Sequence, residues 1–214
     1  SVLRELAKKG HSPLFVRLLA ETGLQTRQSK TTMRTVSAAF EAAFADLGRS
    51  GARDEYVYLA ALTHKILLGI HSLNTASMLT EFRVGTSKAD VVILNGTSTV
   101  YEIKSERDSL ARLTNQLANY RKLFAKIYVI AGESHVQEVL DSTSNDIGVM
   151  SLGRRNQIRT EREAVERPDR VCPITIFESL RSAEAHTILR NLGISVPDVP
   201  NTMLHKVMLS LIHI

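Results

Sequence analysis

The 214-residue chain is 43% hydrophobic and 23% charged, which suits one globular domain or a compact core with appendages and excludes an intrinsically disordered chain. No run approaches the roughly 18 apolar residues of a membrane helix, SVLRELAKKGH is too polar for a secretory leader, and the single cysteine, Cys172, excludes an intramolecular disulfide, a zinc knuckle and a CxxC redox pair, so a soluble protein in a reducing cytoplasm is expected. Lys and Arg number 27 against 22 Asp and Glu, and the excess is N-terminal: residues 1–53 carry nine basic and four acidic side chains, residues 133–214 nine and eleven, a balance that favours an anionic partner such as nucleic acid.

Residues 1–47 read as short helices, Val2 to Lys9, Pro13 to Glu21 with Ser12 as N-cap, and Thr31 to Leu47. Gly48-Arg49-Ser50-Gly51 breaks the pattern and marks a boundary. A longer helix is expected from Asp54 to about Ile70, with Val57, Ala60, Ala61, Leu67 and Leu68 at helical spacing. From Ala76 the period changes, and strands are expected over Ser77 to Val84, Ala89 to Leu94 and Thr99 to Lys104, the last two joined at Asn95-Gly96, a hairpin signal. Ser105 and Asp108 resemble a capping box, after which Leu110, Leu113, Leu117, Tyr120 and Phe124 share one face of a helix over 108–124. A strand at Ile127 to Ala131, a helix around His135 to Leu140 and a strand at Ile147 to Leu152 imply parallel crossovers. The doubly charged stretch RRNQIRTEREAVERPDR then reads as an exposed hairpin or helix followed by a linker, a solvated face or a phosphate-contacting arm. Residues 173–214 return to helix, with breaks at Gly193 and Pro197 to Pro200 before a last helix capped by Asn201. There is no internal repeat and no low-complexity segment.

The stretch from Lys88 to Lys104 carries the chemistry. Strand side chains alternate, so Glu102 and Lys104 share a face that Ile103 does not. A three-residue Asn95-Gly96-Thr97 loop closes Leu94 onto Ser98, and counting back four residues along each strand puts Asp90 opposite Glu102. Two carboxylates so opposed repel unless a cation compensates them. Mg²⁺ takes one or two carboxylates, a backbone carbonyl such as that of Ile103, waters and substrate phosphate. Lys104 beside them is suited to hold the attacking water and offset phosphate charge.

This arrangement resembles the PD-(D/E)XK nuclease superfamily, with Asp90 at the motif Asp and Glu102-Ile103-Lys104 at E-x-K, over residues 54 to about 152. Ala89 stands where the motif name has Pro. Gln116 and Tyr120, four apart on the following helix, look like the QxxxY element of RecB-like and Holliday-junction-resolvase-like members, which lies beside the active site. The resemblance implies an α/β fold with an αβββαβ core, a mixed sheet flanked by helices, over residues 54–160, a basic helical extension over 1–53, and a linker with a helical extension over 161–214. It also implies a Glu on the first helix, for which Glu55 is best placed and Glu81 the rival. The plainer readings are a first-turn acid favoured by the helix dipole for Glu55 and a surface ion pair with Arg83 for Glu81.

The expected activity is a Mg²⁺- or Mn²⁺-dependent nuclease acting on DNA, with Asp90, Glu102, the Ile103 carbonyl and Glu55 as metal ligands and Lys104, Gln116 and Tyr120 completing the site. Lys8, Lys9, Arg27, Lys30 and Arg34 are candidates to track backbone phosphates, or are solvated helix faces. The rivals are a catalytically silent nucleic-acid-binding or regulatory protein of a mobile element on the same fold, and an RNase or toxin-like nuclease. His64 and His71 share a helical face without an acidic ligand nearby, and His11, His135, His186, His205 and His213 are scattered and read as structural. Cys172 reads as a buried small hydrophobe. No P-loop, GxGxxG or GxSxG is present.

Overall fold

The computed structural model describes residues 53–70, 74–153 and 156–195, together with the helical positions Pro13, Arg17, Ala38, Glu41, Ala42, Met203 and Ser210. The N-terminal helices expected over residues 2–47, with Lys8, Lys9, Arg27, Lys30 and Arg34, lie otherwise outside the described residues, as do His11, His71, His205, His213 and the Asn201 cap.

Six strands form one mixed sheet in sequential order: β1 (Ser77–Val84), β2 (Ser87–Leu94), β3 (Ser98–Lys104), β4 (Lys126–Gly132), β5 (Gly148–Leu152) and β6 (Ile158–Arg162). β1, β2 and β3 are antiparallel neighbours, β3, β4 and β5 run parallel, and β6 returns antiparallel to β5. The charged stretch after Gly153 is thus a hairpin strand, the first of the two alternatives its sequence offered. Helices cover both faces. On one, α1 (Glu55–Leu62) packs Val57, Tyr58, Ala61 and Leu62 against Val91, Ile93, Tyr101, Ile103, Ile130 and Leu152. On the other, α2 (Leu113–Tyr120) and α3 (Val136–Ser142) cover Val92, Val100, Val129, Ala131 and Val149. After the sheet come α4 (Pro173–Ser179) and α5 (Ser182–Asn191). No helix among the described residues is long and apolar enough to cross a membrane.

Two helices depart from the expected spans for physical reasons. Asp54 caps α1, accepting from the Tyr56 N–H at 3.1 Å. The expected run to Ile70, however, widens into a π-helical turn at Thr63–Leu67, closed by the Leu68 N–H to the Thr63 carbonyl at 2.9 Å. The extra residue rotates the later side chains by about one helical step. Ile66 and Leu67 therefore face the core, and Leu68, expected inside, is exposed. After β3, Asp108 accepts from both the backbone N–H and the hydroxyl of Ser105, at 2.8 and 2.7 Å, as the capping-box reading anticipated. That bond closes a turn rather than opening the helix. Ser109 is the effective cap, a 3₁₀ turn spans Leu110–Arg112, and α2 stops at Tyr120, short of Phe124. The expected apolar face nevertheless holds: Leu113, Leu117, Tyr120 and Phe124 are buried.

Candidate functional site

The pairing of β2 with β3 follows the register set by the three-residue loop. Leu94 lies opposite Ser98 and Val91 opposite Tyr101, so the next step along the ladder faces Asp90 with Glu102. The loop places Gly96 at a φ of 88°, which suits glycine. At Asp90 regular pairing gives way, and the Ile103 N–H donates to Asp90 Oδ2 at 2.7 Å.

A second register completes the arrangement. The two-residue turn Gly85-Thr86 closes Val84 onto Ser87, so Thr80 faces Val91, Phe82 faces Ala89, and Glu81 falls opposite Asp90, where this ladder lapses. Glu81 has a φ of 58°, the left-handed region, costly for a residue with a Cβ. Glu81, Asp90 and Glu102 thus stand in one row across three adjacent strands. Glu55, from the first turn of α1, joins this row: one carboxylate oxygen each from Glu55, Glu81 and Asp90 lie within 4.8 Å of one another. The rivals Glu55 and Glu81 are therefore brought together. Glu81 also forms an ion pair, with Lys88 and not with the Arg83 expected from sequence.

Glu102 and Lys104 are buried, at 1% and 4% exposure, between the sheet and α2. Lys104 Nζ donates to Glu102 Oε1 at 2.8 Å and to Gln116 Oε1 at 2.9 Å. Gln116 Nε2 donates to Glu102 Oε1, and the Tyr120 hydroxyl donates to Glu102 Oε2 at 2.6 Å. Gln116 and Tyr120 reach the same carboxylate because they sit one turn apart on α2. Three donors fill three of the roughly four acceptor positions of the Glu102 carboxylate, and two acceptors take two of the three Lys104 protons. Among the described residues, one lone pair and one N–H have no further partner.

The electrostatics follow from crowding. Burial first, and then the charge of Glu102, push the Asp90 carboxyl up to about 7, against the opposing pull of the Ile103 N–H and Lys104. Burial and Glu81 raise Glu55. Burial and the neighbouring Glu102 raise the Tyr120 hydroxyl, which stays protonated and donating. Carboxylates crowded in this way are what a bound cation would relieve, and an all-oxygen donor set fits Mg²⁺ or Mn²⁺.

The four acids, Lys104 and Gln116 line a cavity of about 520 Å³ that also takes in Thr86, Ser87, Lys88, Asp108, Arg112 and Asn115, with Tyr120 behind Glu102. A larger cavity, about 910 Å³, lies around Tyr101 and Tyr128. Its Lys65, Lys126 and Arg159 are nearly balanced by Glu133 and Glu163, and the acid trio lies elsewhere, so the smaller cavity is the candidate site. His64 is exposed and belongs to no metal-sized cluster among the described residues. Cys172, expected to be buried, is half-buried at the N-cap position of α4. Sequence reasoning missed one buried network altogether: Arg53, Glu106 and Tyr58. It also missed the Gly85-Thr86 hairpin, whose glycine was the signal that would have set Glu81 opposite Asp90.

The family model described as bacteriophage P4 protein cII matches residues 49–213. The chain belongs to this family. Protein cII of Enterobacteria phage P4 is 32% identical over 102 residues, which cover 47% of this chain and 38% of that protein's length. Among solved structures, the P4 cII-family chain is similar to a protein of unknown function from Silicibacter pomeroyi, with a TM-score of 0.42 and 16% identity over 63% of this chain and 88% of the other. It is also similar to SfsA from Pyrococcus furiosus, in complex with Ca²⁺, with a TM-score of 0.33 and 18% identity over 52% of this chain and 64% of that one.

Proposed function

We propose that the chain is a divalent-metal-dependent nuclease with a PD-(D/E)XK core, hydrolysing phosphodiester bonds of DNA in the setting of a mobile element. One observation carries the reading: Asp90, the Glu102-Lys104 pair and the Gln116-Tyr120 pair line or adjoin one cavity, and every member of the buried network is a polar group that an apolar residue would replace at lower cost if only packing mattered. Asp90, Glu102 through its remaining lone pair, the Ile103 carbonyl and the acids Glu55 and Glu81 would hold Mg²⁺ or Mn²⁺. The metal, when bound, supplies Lewis acidity, a hydroxide at neutral pH and a template for in-line attack.

The rest is done by the chain itself. Lys104, fixed by Glu102 and Gln116, directs its third proton into the cavity, where it orients a water and offsets charge growing on the phosphate. Tyr120 and Gln116 hydrogen-bond the Glu102 carboxylate and fix its rotamer. Arg112 and Asn115, at the rim, are placed to meet neighbouring phosphates.

The test is cleavage of single-stranded, duplex and branched DNA and of RNA, with Mg²⁺, Mn²⁺ or chelator. Because Glu102 and Lys104 are buried partners, truncating either to Ala strands a buried charge or its partners. The informative variants are therefore Asp90→Asn and Glu102→Gln, which keep shape and remove charge. Metal-dependent cutting by the wild type that both variants lose is the expected result. Binding without cutting would identify a silent binding module, and cutting of RNA alone an RNase.

A further inference from the structure

Arg53 lies just before α1 and is among the largest fully buried side chains, at 2% exposure. Its Nη1 donates to the carbonyls of Leu152 and Gly153, at 2.7 and 2.8 Å, at the end of β5. Its Nη2 pairs with Glu106 Oε1, and Glu106 Oε2 accepts from the Tyr58 hydroxyl at 2.9 Å. The end of β4 closes over this group: a Cβ on Gly132 would come within 2.8 Å of the Glu106 carboxyl carbon and 3.0 Å of the Tyr58 hydroxyl.

The sequence positions give the network its meaning. Arg53 is two residues before Glu55 and Tyr58 three after it, while Glu106 is two residues beyond Lys104. One bonded cluster thus pins the backbone that presents Glu55 to the backbone that presents Glu102 and Lys104, with the ends of β4 and β5 as anchor. Mere filling of this space would be met at lower cost by an apolar side chain, since a buried guanidinium loses its hydration and here its Nε finds no partner among the described residues. A forked, directional donor fixes distance and orientation in a way that packing does not.

We infer that Arg53, through Glu106 and Tyr58, is a positioning residue that holds Glu55 at the metal site beside Asp90. This rests on the metal reading above. Residues that orient metal ligands are worth about 10- to 100-fold in affinity when changed.

The experiment is Mn²⁺ titration by calorimetry on the full chain, with thermal unfolding recorded for each variant. The set is wild type, Arg53→Lys, Tyr58→Phe, Glu55→Gln, Asp90→Asn, and each of the first two substitutions combined with Glu55→Gln. Arg53→Lys keeps the charge but loses the fork, and is expected to weaken Mn²⁺ binding about tenfold. Tyr58→Phe removes a single hydroxyl and keeps the measurement open should Arg53→Lys fail to fold; a loss of a few-fold is expected. Neither should weaken binding further once Glu55 is Gln, because a positioning residue acts only through what it positions. Wild-type affinity in Arg53→Lys and Tyr58→Phe, or losses that simply multiply with that of Glu55→Gln, would overturn the inference while leaving the metal reading intact. A wild type that binds Mn²⁺ no better than Asp90→Asn would overturn the metal reading and the inference with it.

Discussion

Burial and the charge of Glu102 raise Asp90 to about 7 in the folded chain, against 3.8 for an exposed carboxyl, so folding takes up a proton between those values. A group whose folded pKa is raised binds more protons in the native state, and stability falls as pH rises through that window. In chelator, the wild type should therefore lose stability relative to Asp90→Asn between about pH 4 and pH 7 and run parallel to it above, in denaturant titrations at stepped pH. Saturating Mg²⁺ should remove the slope by stabilising the ionised form; a pH-independent difference would mean that Asp90 is not crowded by Glu102. Tyr120 makes the complementary case. Its hydroxyl gives a 2.6 Å bond to a buried carboxylate, the kind worth about 1.5–3 kcal/mol. Tyr120→Phe should cost that much in unfolding free energy and lower cleavage as well, whereas Phe124→Leu, which touches the Tyr120 ring edge-on at 6.1 Å, should cost stability with little change in rate per folded molecule.

Between residues, the two hairpins decide which side chains meet. Glu81 adopts left-handed backbone at a strand position, at a cost of roughly 1–2 kcal/mol, and among the described residues gains only an exposed ion pair with Lys88. Strain of this sort persists where function requires it. Glu81→Gly should thus leave unfolding free energy within about 1 kcal/mol of wild type, on the stabilising side, because glycine relieves the strain. Arg83→Gly, two residues along the same strand, should be destabilising by about 1 kcal/mol. Glu81→Gly should at the same time weaken Mn²⁺ binding; a stabilised variant with unchanged affinity would remove Glu81 from the site. The same hairpins show what the sequence made legible. Asn95-Gly96 fixed one register, so the facing of Asp90 and Glu102 was readable from residue numbers alone. Gln116 and Tyr120 were readable as a pair because helical periodicity is local. Arg53 and Glu106 were not, since their partner lies 53 residues away and nothing local marks a buried arginine among surface ones. The π-helical turn was invisible for a related reason: the apolar run Ile66 to Ile70 fits either phase, and packing against the sheet chooses between them.

At the scale of the whole molecule, charge and family membership divide the chain in similar places. The match to the P4 cII family starts at residue 49, and the excess of basic over acidic side chains is greatest before residue 53. The core around the candidate site carries its own cations, Lys88, Lys104 and Arg112, but two of these are paired with Glu81 and Glu102. On the proposed nuclease reading, phosphate attraction at long range would fall to the N-terminal basic residues, and the core would supply the chemistry. Counterion release turns that division into a measurement. Each phosphate neutralised on duplex DNA contributes about −0.9 to the slope of log K against log salt. If Lys8, Lys9, Arg27, Lys30 and Arg34 each meet one phosphate, replacing all five with Gln should flatten the slope by about 4 to 5 and weaken binding at low salt far more than at high salt. The rate of a single turnover at saturating DNA should stay the same if the five act by tracking phosphates alone. An unchanged slope would assign these residues to solvated helix faces. A flattened slope accompanied by a lost turnover rate would place the N-terminal segment inside the active site rather than beside it.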